Sequence, residues 1–167
     1  MKKLLLAILF VFSSLTIFSQ NDVTTYYLIR HAEKDRTDKT NRNPSLKEKG
    51  IERAVYWAEV FKNVDFDLVY STKYNRTKQT AKPTAIAKKL EIQFYNPRKM
   101  YSEEFQKATN QKTVLVVGHS NTTPFFANKI LGKDKYTQID DHNNANLYII
   151  TVTKDSKTGV LLEINLK

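Results

Sequence analysis

The sequence predicts a three-layer α/β/α sandwich on a mostly parallel central sheet, and three observations carry that expectation. Strand-like and helix-like segments alternate from residue 23 onward, the order that parallel strands with crossover helices produce. Residues 113–117, Thr-Val-Leu-Val-Val, form the most apolar of the strand-like runs, as expected of a central strand buried on both faces. Three stretches that carry chemistry, Arg30-His31, residues 71–76 and Gly118-His119-Ser120, each follow a predicted strand. Open α/β sheets hold their ligands at that end.

Taken in order, residues 23–30 are rich in Thr, Tyr and Ile and read as a strand. Residues 35–44 are a polar loop. Residues 45–62 have helical spacing at Leu46, Ile51, Ala54, Val55, Ala58 and Phe61. Residues 67–71 make a short buried strand. Residues 74–90 make a helix that Pro83 is expected to kink or split near Ala81-Lys82. Residues 92–95 are a strand and 103–110 a short helix. Residues 122–131 form a helix with Pro124 in its first turn, where proline is tolerated. Residues 146–153 and 159–165 close the sheet as a hairpin or adjacent antiparallel edge strands.

The chain has 167 residues, which favours one domain. Residues 1–20 stand apart: a basic Met1-Lys2-Lys3, an apolar stretch from Leu4 to Phe18, then small Ser19 before polar Gln20-Asn21-Asp22. This is the pattern of a secretory signal peptide cleaved near Ser19 or Gln20, with residues 21–167 as the exported, periplasmic or extracellular domain. The stretch is short for a membrane span, so no stable anchor is expected after cleavage. No cysteine is present, which excludes a lipidated cysteine, a disulfide framework and thiolate chemistry. Without Lys2 and Lys3 the surplus of basic over acidic residues falls from ten to eight. The lysines are scattered through polar contexts without interleaved aromatics, so no nucleic-acid partner is expected.

Arg30-His31 is the most telling pair. Two groups that can carry positive charge, side by side at a strand end, are costly to bury unless an anion lies between them, and phosphate is the natural candidate. Each candidate also has a plain structural reading. His31 alone could be a surface histidine, Arg76 a helix-surface arginine and His119 a satisfied core histidine. His142 with Asp140 or Asp141 could suggest a metal, but metal-ligand spacing is absent and arginines beside His31 would repel a dication. No metal and no cofactor are expected.

Together the motifs resemble the histidine phosphatase superfamily, the phosphoglycerate-mutase-like fold, and within it the short bacterial branch. Leu28-Ile29-Arg30-His31-Ala32-Glu33-Lys34 resembles its Arg-His signature. Pro44-Ser45-Leu46-Lys47-Glu48-Lys49-Gly50 is similar to its Pro-x-Leu-x-x-x-Gly lead into the first helix. Ser71 through Arg76 to Thr80-Ala81 matches Ser-x-x-x-x-Arg-x-x-x-Thr-Ala, and Gly118-His119-Ser120 resembles its second histidine motif.

The resemblance implies a phosphatase that hydrolyses phosphomonoesters through a phosphohistidine on His31, and the signal-peptide pattern adds the expectation that it is exported. Arg30, Arg76 and His119 would clamp the phosphoryl group, with Gly118, Ser120 and Glu33 lining the substrate site. The proton donor stays open. Ser120 stands where some branches carry Asp, and Glu103 occupies about the region where others carry Glu, with Glu104 and Glu33 as alternatives. Ser102-Glu103-Glu104 reads equally as an N-cap and first helical turn. The implied substrate is a phosphorylated small molecule or macromolecule. The alternatives are a non-catalytic phosphate-binding module on the same fold and a mutase-like phosphotransferase. Residues 141–146 resemble the family's polar turn before a late strand, and a structural role is expected for them.

Overall fold

The computed structural model describes residues 22–166. The signal-peptide reading of residues 1–20 lies outside the described residues. Six strands form one sheet in the order β3-β2-β4-β1-β5-β6. They are β1 (Thr24–Arg30), β2 (Leu68–Ser71), β3 (Ile92–Phe94), β4 (Thr113–Gly118), β5 (Asn146–Val152) and β6 (Lys157–Glu163). The pairings β1–β4, β2–β4 and β2–β3 are parallel, and β1–β5 and β5–β6 are antiparallel. Four helices complete the described chain: α1 (Glu48–Val60), α2 (Asn75–Lys88), α3 (Glu103–Thr109) and α4 (Thr122–Leu131). The mostly parallel sheet, the central β4 and the antiparallel C-terminal hairpin follow the sequence expectation.

The period-two alternation of strands divides the core between the two faces. Tyr26, Leu28, Val114, Val116, Tyr148 and Ile150 pack with Phe105 of α3 and Phe126 and Ile130 of α4. Ile29, Val69, Leu115, Val117 and Leu147 pack on the other face with Trp57 of α1 and Ala81 and Ala85 of α2. Each fully buried large apolar side chain contributes about 1.5–3 kcal/mol. β1 and β4 carry the most, being covered on both sides, and they are also the strands whose ends bear Arg30 and Gly118.

Two helix expectations are corrected. The face of α1 that meets the core is Gly50, Arg53, Ala54 and Trp57, whereas Ile51 and Val55 are 56% and 57% exposed. The stripe was misread because its widest member is Trp57 and one member is an arginine, which enters the interior only because Glu33 meets it. α2 is one continuous helix with Pro83 inside it, so the split expected near Ala81-Lys82 does not occur. The proline ring lies beside the buried stripe of Thr77, Thr80, Ala81, Thr84 and Ala85. Contacts of that stripe hold the turn that Pro83 leaves one hydrogen bond short.

The first turn of α1 is locked to the segment that follows the Arg-His pair, where Lys34 and Leu46 form an isolated bridge. Asp35 N donates to Ser45 O at 2.8 Å and Lys47 N to Glu33 O at 3.0 Å. A Cβ at Gly50 would stand 2.2 Å from the Glu33 carbonyl oxygen, so only glycine lets the helix approach. Gly50→Ala is expected to lower stability by about 1–3 kcal/mol through this backbone clash. Gly132→Ala, at a left-handed helix end with open space around it, should cost about 1 kcal/mol or less. Urea denaturation of both variants checks the ranking.

Candidate active site

Register brings the carboxyl ends of three parallel strands together. Arg30 pairs with Gly118 across β1–β4, and Val117 pairs with Ser71 across β4–β2. The chain leaves each strand at this edge, so residues from three remote segments line one open cleft of about 320 Å³. Its walls include Arg30, His31, Arg76, His119 and Ser120. This is the strand-end crevice of an open α/β sheet.

His31 is held on every side. Its backbone N–H donates to Gly118 O at 2.9 Å, and its carbonyl accepts from Asn144 Nδ2 at 2.8 Å. The next amide, Ala32 N–H, donates to Thr80 Oγ1 at 2.9 Å. The ring Nδ1 lies 2.7 Å from Ala32 O. A carbonyl can only accept, so Nδ1 carries the proton and Nε2 keeps its lone pair. Burial, then His119, Arg30 and Arg76, push the His31 pKa down to about 3 against the pull of the Ala32 bond. The ring is therefore neutral across the physiological range.

His119 stands opposite, with ring centroids 5.5 Å apart. Its Nε2 is 3.0 Å from Thr72 Oγ1, which in turn lies 2.9 Å from Thr77 Oγ1. Tyr74 packs edge-on against the same ring. Burial first, then Arg76, Lys34 and Arg30, lower the His119 pKa to about 4. A bound dianion would oppose these cations and raise it.

The two arginines are only partly satisfied. Arg30, 2% exposed, donates from Nη1 to Asp140 O and Asn143 O at 2.8 and 2.7 Å, and from Nη2 to Asp141 Oδ1 at 2.8 Å. Arg76 stacks over the Tyr74 ring at 4.4 Å. Arg30 Nε, Arg76 Nε and Arg76 Nη1 are buried without a protein acceptor. Orphaned guanidinium donors are expensive inside a protein. Gathered beside a neutral imidazole, they form a cradle for a tetrahedral oxyanion.

The remaining sequence candidates divide. Ser120 lines the cleft. Gly118 has no room for a side chain, since a Cβ there would meet Thr123 Oγ1 at 2.7 Å and Tyr95 Oη at 3.0 Å. Glu33 lines the groove beside the cleft, and its carboxylate is paired with Arg53 rather than Lys34: Arg53 Nε and Nη2 donate to it at 2.9–3.0 Å. Glu103 is corrected as proton donor: it is exposed on the first turn of α3 and lines neither the cleft nor the groove beside it. The cap reading of that segment stands instead, because Ser102 Oγ accepts from Phe105 N at 3.3 Å. Glu104 is likewise exposed.

Asp141 is the one carboxyl on the cleft wall among the described residues. Desolvation works to raise its pKa, but Arg36 and Arg30 outweigh it and hold the group below the usual carboxylate range. His142 is exposed, beside Asp140. Sequence reasoning gave no site role to Thr72, Thr80, Asn144, Asp141 or Lys34, although Lys34 and Thr80 lie inside the quoted motifs and Asp141 and Asn144 in the polar turn before β5.

Buried neutral histidines make stability depend on pH. Both folded pKa values lie below the unfolded value near 6.5, so the unfolded chain binds more protons between them. Stability is fully present above about pH 6.5 and is lost as pH falls toward 4 and 3. Each histidine contributes a slope of at most about 1.4 kcal/mol per pH unit. His31→Asn and His119→Asn should each flatten the fall in thermal midpoint between pH 6.5 and 4 in phosphate-free buffer.

Residues 26–96 match the model of the histidine phosphatase superfamily (branch 1). No curated protein matches the chain. Among solved structures, the protein histidine phosphatase SixA complexed with tungstate is similar at 12% identity, with a TM-score of 0.66 over 83% of this chain and 96% of that one. A mycobacterial glucosyl-3-phosphoglycerate phosphatase complexed with VO3 is similar at 14% identity and TM-score 0.68, covering 86% of this chain and all of that one. Phosphoglycerate mutase from Bacillus anthracis is similar at 16% identity and TM-score 0.63, covering 85% and 93%. These likenesses establish the fold.

Proposed function

We propose that this chain, a member of the histidine phosphatase superfamily by its residues 26–96 and its fold, is a phosphatase that transfers a phosphoryl group to His31 and then to water. The observation that carries the reading is the meeting of a tautomer-locked His31 with three unpartnered guanidinium nitrogens of Arg30 and Arg76. Nε2 of His31 attacks phosphorus and the leaving oxygen departs with the electron pair. Arg30, Arg76 and His119 hold the equatorial oxygens, where charge spreads in a loose transition state. Water then displaces the imidazole, the P–N bond breaks, and neutral His31 and inorganic phosphate are released.

Leaving-group chemistry follows from the acids. With Glu33 bound to Arg53, Asp141 held ionised and Glu103 outside the cleft, the described residues offer no carboxyl poised to protonate a departing alkoxide. The site suits groups that leave as weak bases, such as phenolates, or phosphoryl groups carried on nitrogen. The cleft is open, and among the described residues no long closing segment shields a phosphoenzyme from water, which favours hydrolysis over a mutase reaction. The basic, apolar, then polar pattern of residues 1–20 supports export ahead of this activity.

A second reading, a phosphate-binding module without turnover, is favoured by the same lack of a carboxyl donor. Turnover of 4-nitrophenyl phosphate separates the two. The wild type should hydrolyse it and form an acid-quenched, ³²P-labelled protein, with phenyl phosphate slower by roughly tenfold or more. His31→Ala should lose the label, and Arg76→Ala should lower kcat by about 10²–10³-fold. Tight vanadate binding with no hydrolysis would select the binding module. Undiminished labelling of His31→Ala would remove the nucleophile.

A further inference from the structure

The phosphate cleft opens into a larger groove of about 620 Å³. The two share Arg30, His31, Lys34 and Asp141 on their walls, so a substrate that extends from a clamped phosphoryl group can reach this groove. The groove adds Arg36, Lys47 and Lys49 on the cationic side, and Glu33 and Asp35 on the anionic side. The anions are already engaged. Glu33 is bound by Arg53, Asp141 is shared by Arg30 and Arg36 at 2.8 Å each, and Asp35 accepts from the Thr37 amide and hydroxyl at 2.9 and 2.8 Å. Lys34, Lys47 and Lys49 have no salt-bridge partner among the described residues.

These lysines do not hang from a loose loop. Lys34 forms a β-bridge with Leu46, Lys47 N–H is tied to Glu33 O, and Lys49 rides on the first turn of α1, which Gly50 seats against Glu33. Their backbone positions are thereby fixed relative to His31, one residue beyond β1. Burial first, then Arg36 and Arg76, also hold the Lys34 pKa below the usual lysine range, the mark of an ammonium set among other cations. A surplus of positive charge on rigid backbone thus lies beside the phosphate clamp.

Resting on the proposed phosphatase reading, we infer that the substrate carries a second anionic group, a phosphate or a carboxylate, close to the phosphoryl group that His31 takes. Lys34, Lys47 and Lys49 set that preference. The groove selects bis-anionic small molecules over neutral alkyl or aryl monoesters.

Calorimetry with three non-hydrolysable probes tests this in 0.15 M salt, where long-range attraction is screened. Ethylphosphonate has one anionic group. Propane-1,3-diphosphonate and 3-phosphonopropionate have two, and their difference distinguishes phosphate from carboxylate as the second anion. At least one two-anion probe should bind about tenfold or more tighter than ethylphosphonate, and in Lys47→Ala/Lys49→Ala that gap should shrink below about threefold. A control pair with the same charge change, Lys107→Ala/Lys112→Ala at the far end of the sheet, should keep the gap. Equal affinities for all three probes overturn the inference while leaving the clamp intact. So does a gap that survives the groove variant, or one that the control pair reduces equally. Failure of ethylphosphonate itself to bind would instead remove the clamp and the reading beneath it.

Discussion

The whole site depends on two guanidinium groups at the end of a sheet, Arg30 buried and Arg76 half-buried. Removing such a charge from solvent costs several kcal/mol even after relaxation. Arg30 recovers part of that through two carbonyls and the Asp141 carboxylate, and Arg76 recovers part through the Tyr74 ring. What remains is three guanidinium nitrogens without a protein acceptor, on two arginines that line the same cleft as His31. The same cations, together with burial, keep both histidines uncharged, so the field that attracts an anion also leaves a lone pair available.

The scaffold supplies rigidity where this arrangement needs it. β1 and β4 are buried on both faces and lie side by side, so the carbonyl of Gly118 reaches the amide of His31. α2 delivers Thr80 to the following amide, and the turn before β5 delivers Asn144 to the carbonyl. The sheet, α2 and the turn before β5 thus converge on the two peptide units that flank His31. A histidine so fixed loses little freedom when it reacts, which is the entropic part of what a preorganised nucleophile provides.

Much of this was legible in the sequence because it depends on local order. Strand ends, glycine turns and the spacing between Ser71, Arg76 and Thr80 are written along the chain, and parallel β topology decides where they meet. The failures all involve partners remote in sequence or effects of packing. An arginine in the middle of α1 reads as solvent-facing until Glu33 is found opposite it. Pro83 reads as a break until the threonine-rich stripe beside it is seen against the sheet. Glu103 sits at a plausible distance along the chain, but it lies exposed on the first turn of α3, behind the Ser102 cap, and lines neither the cleft nor the groove. Thr72 has no signature at all, since only the fold brings its hydroxyl to His119.

Arg30 is also a staple. Its three contacts to Asp140, Asp141 and Asn143 fasten the turn that carries Asn144, and Asn144 in turn fastens His31. An exchange to lysine would keep the charge but could not satisfy three acceptors spread over that turn. Inactivity in such a variant would therefore report a shifted nucleophile as much as a weakened grip on the anion. For this arginine, charge and architecture cannot be dissected by a single substitution.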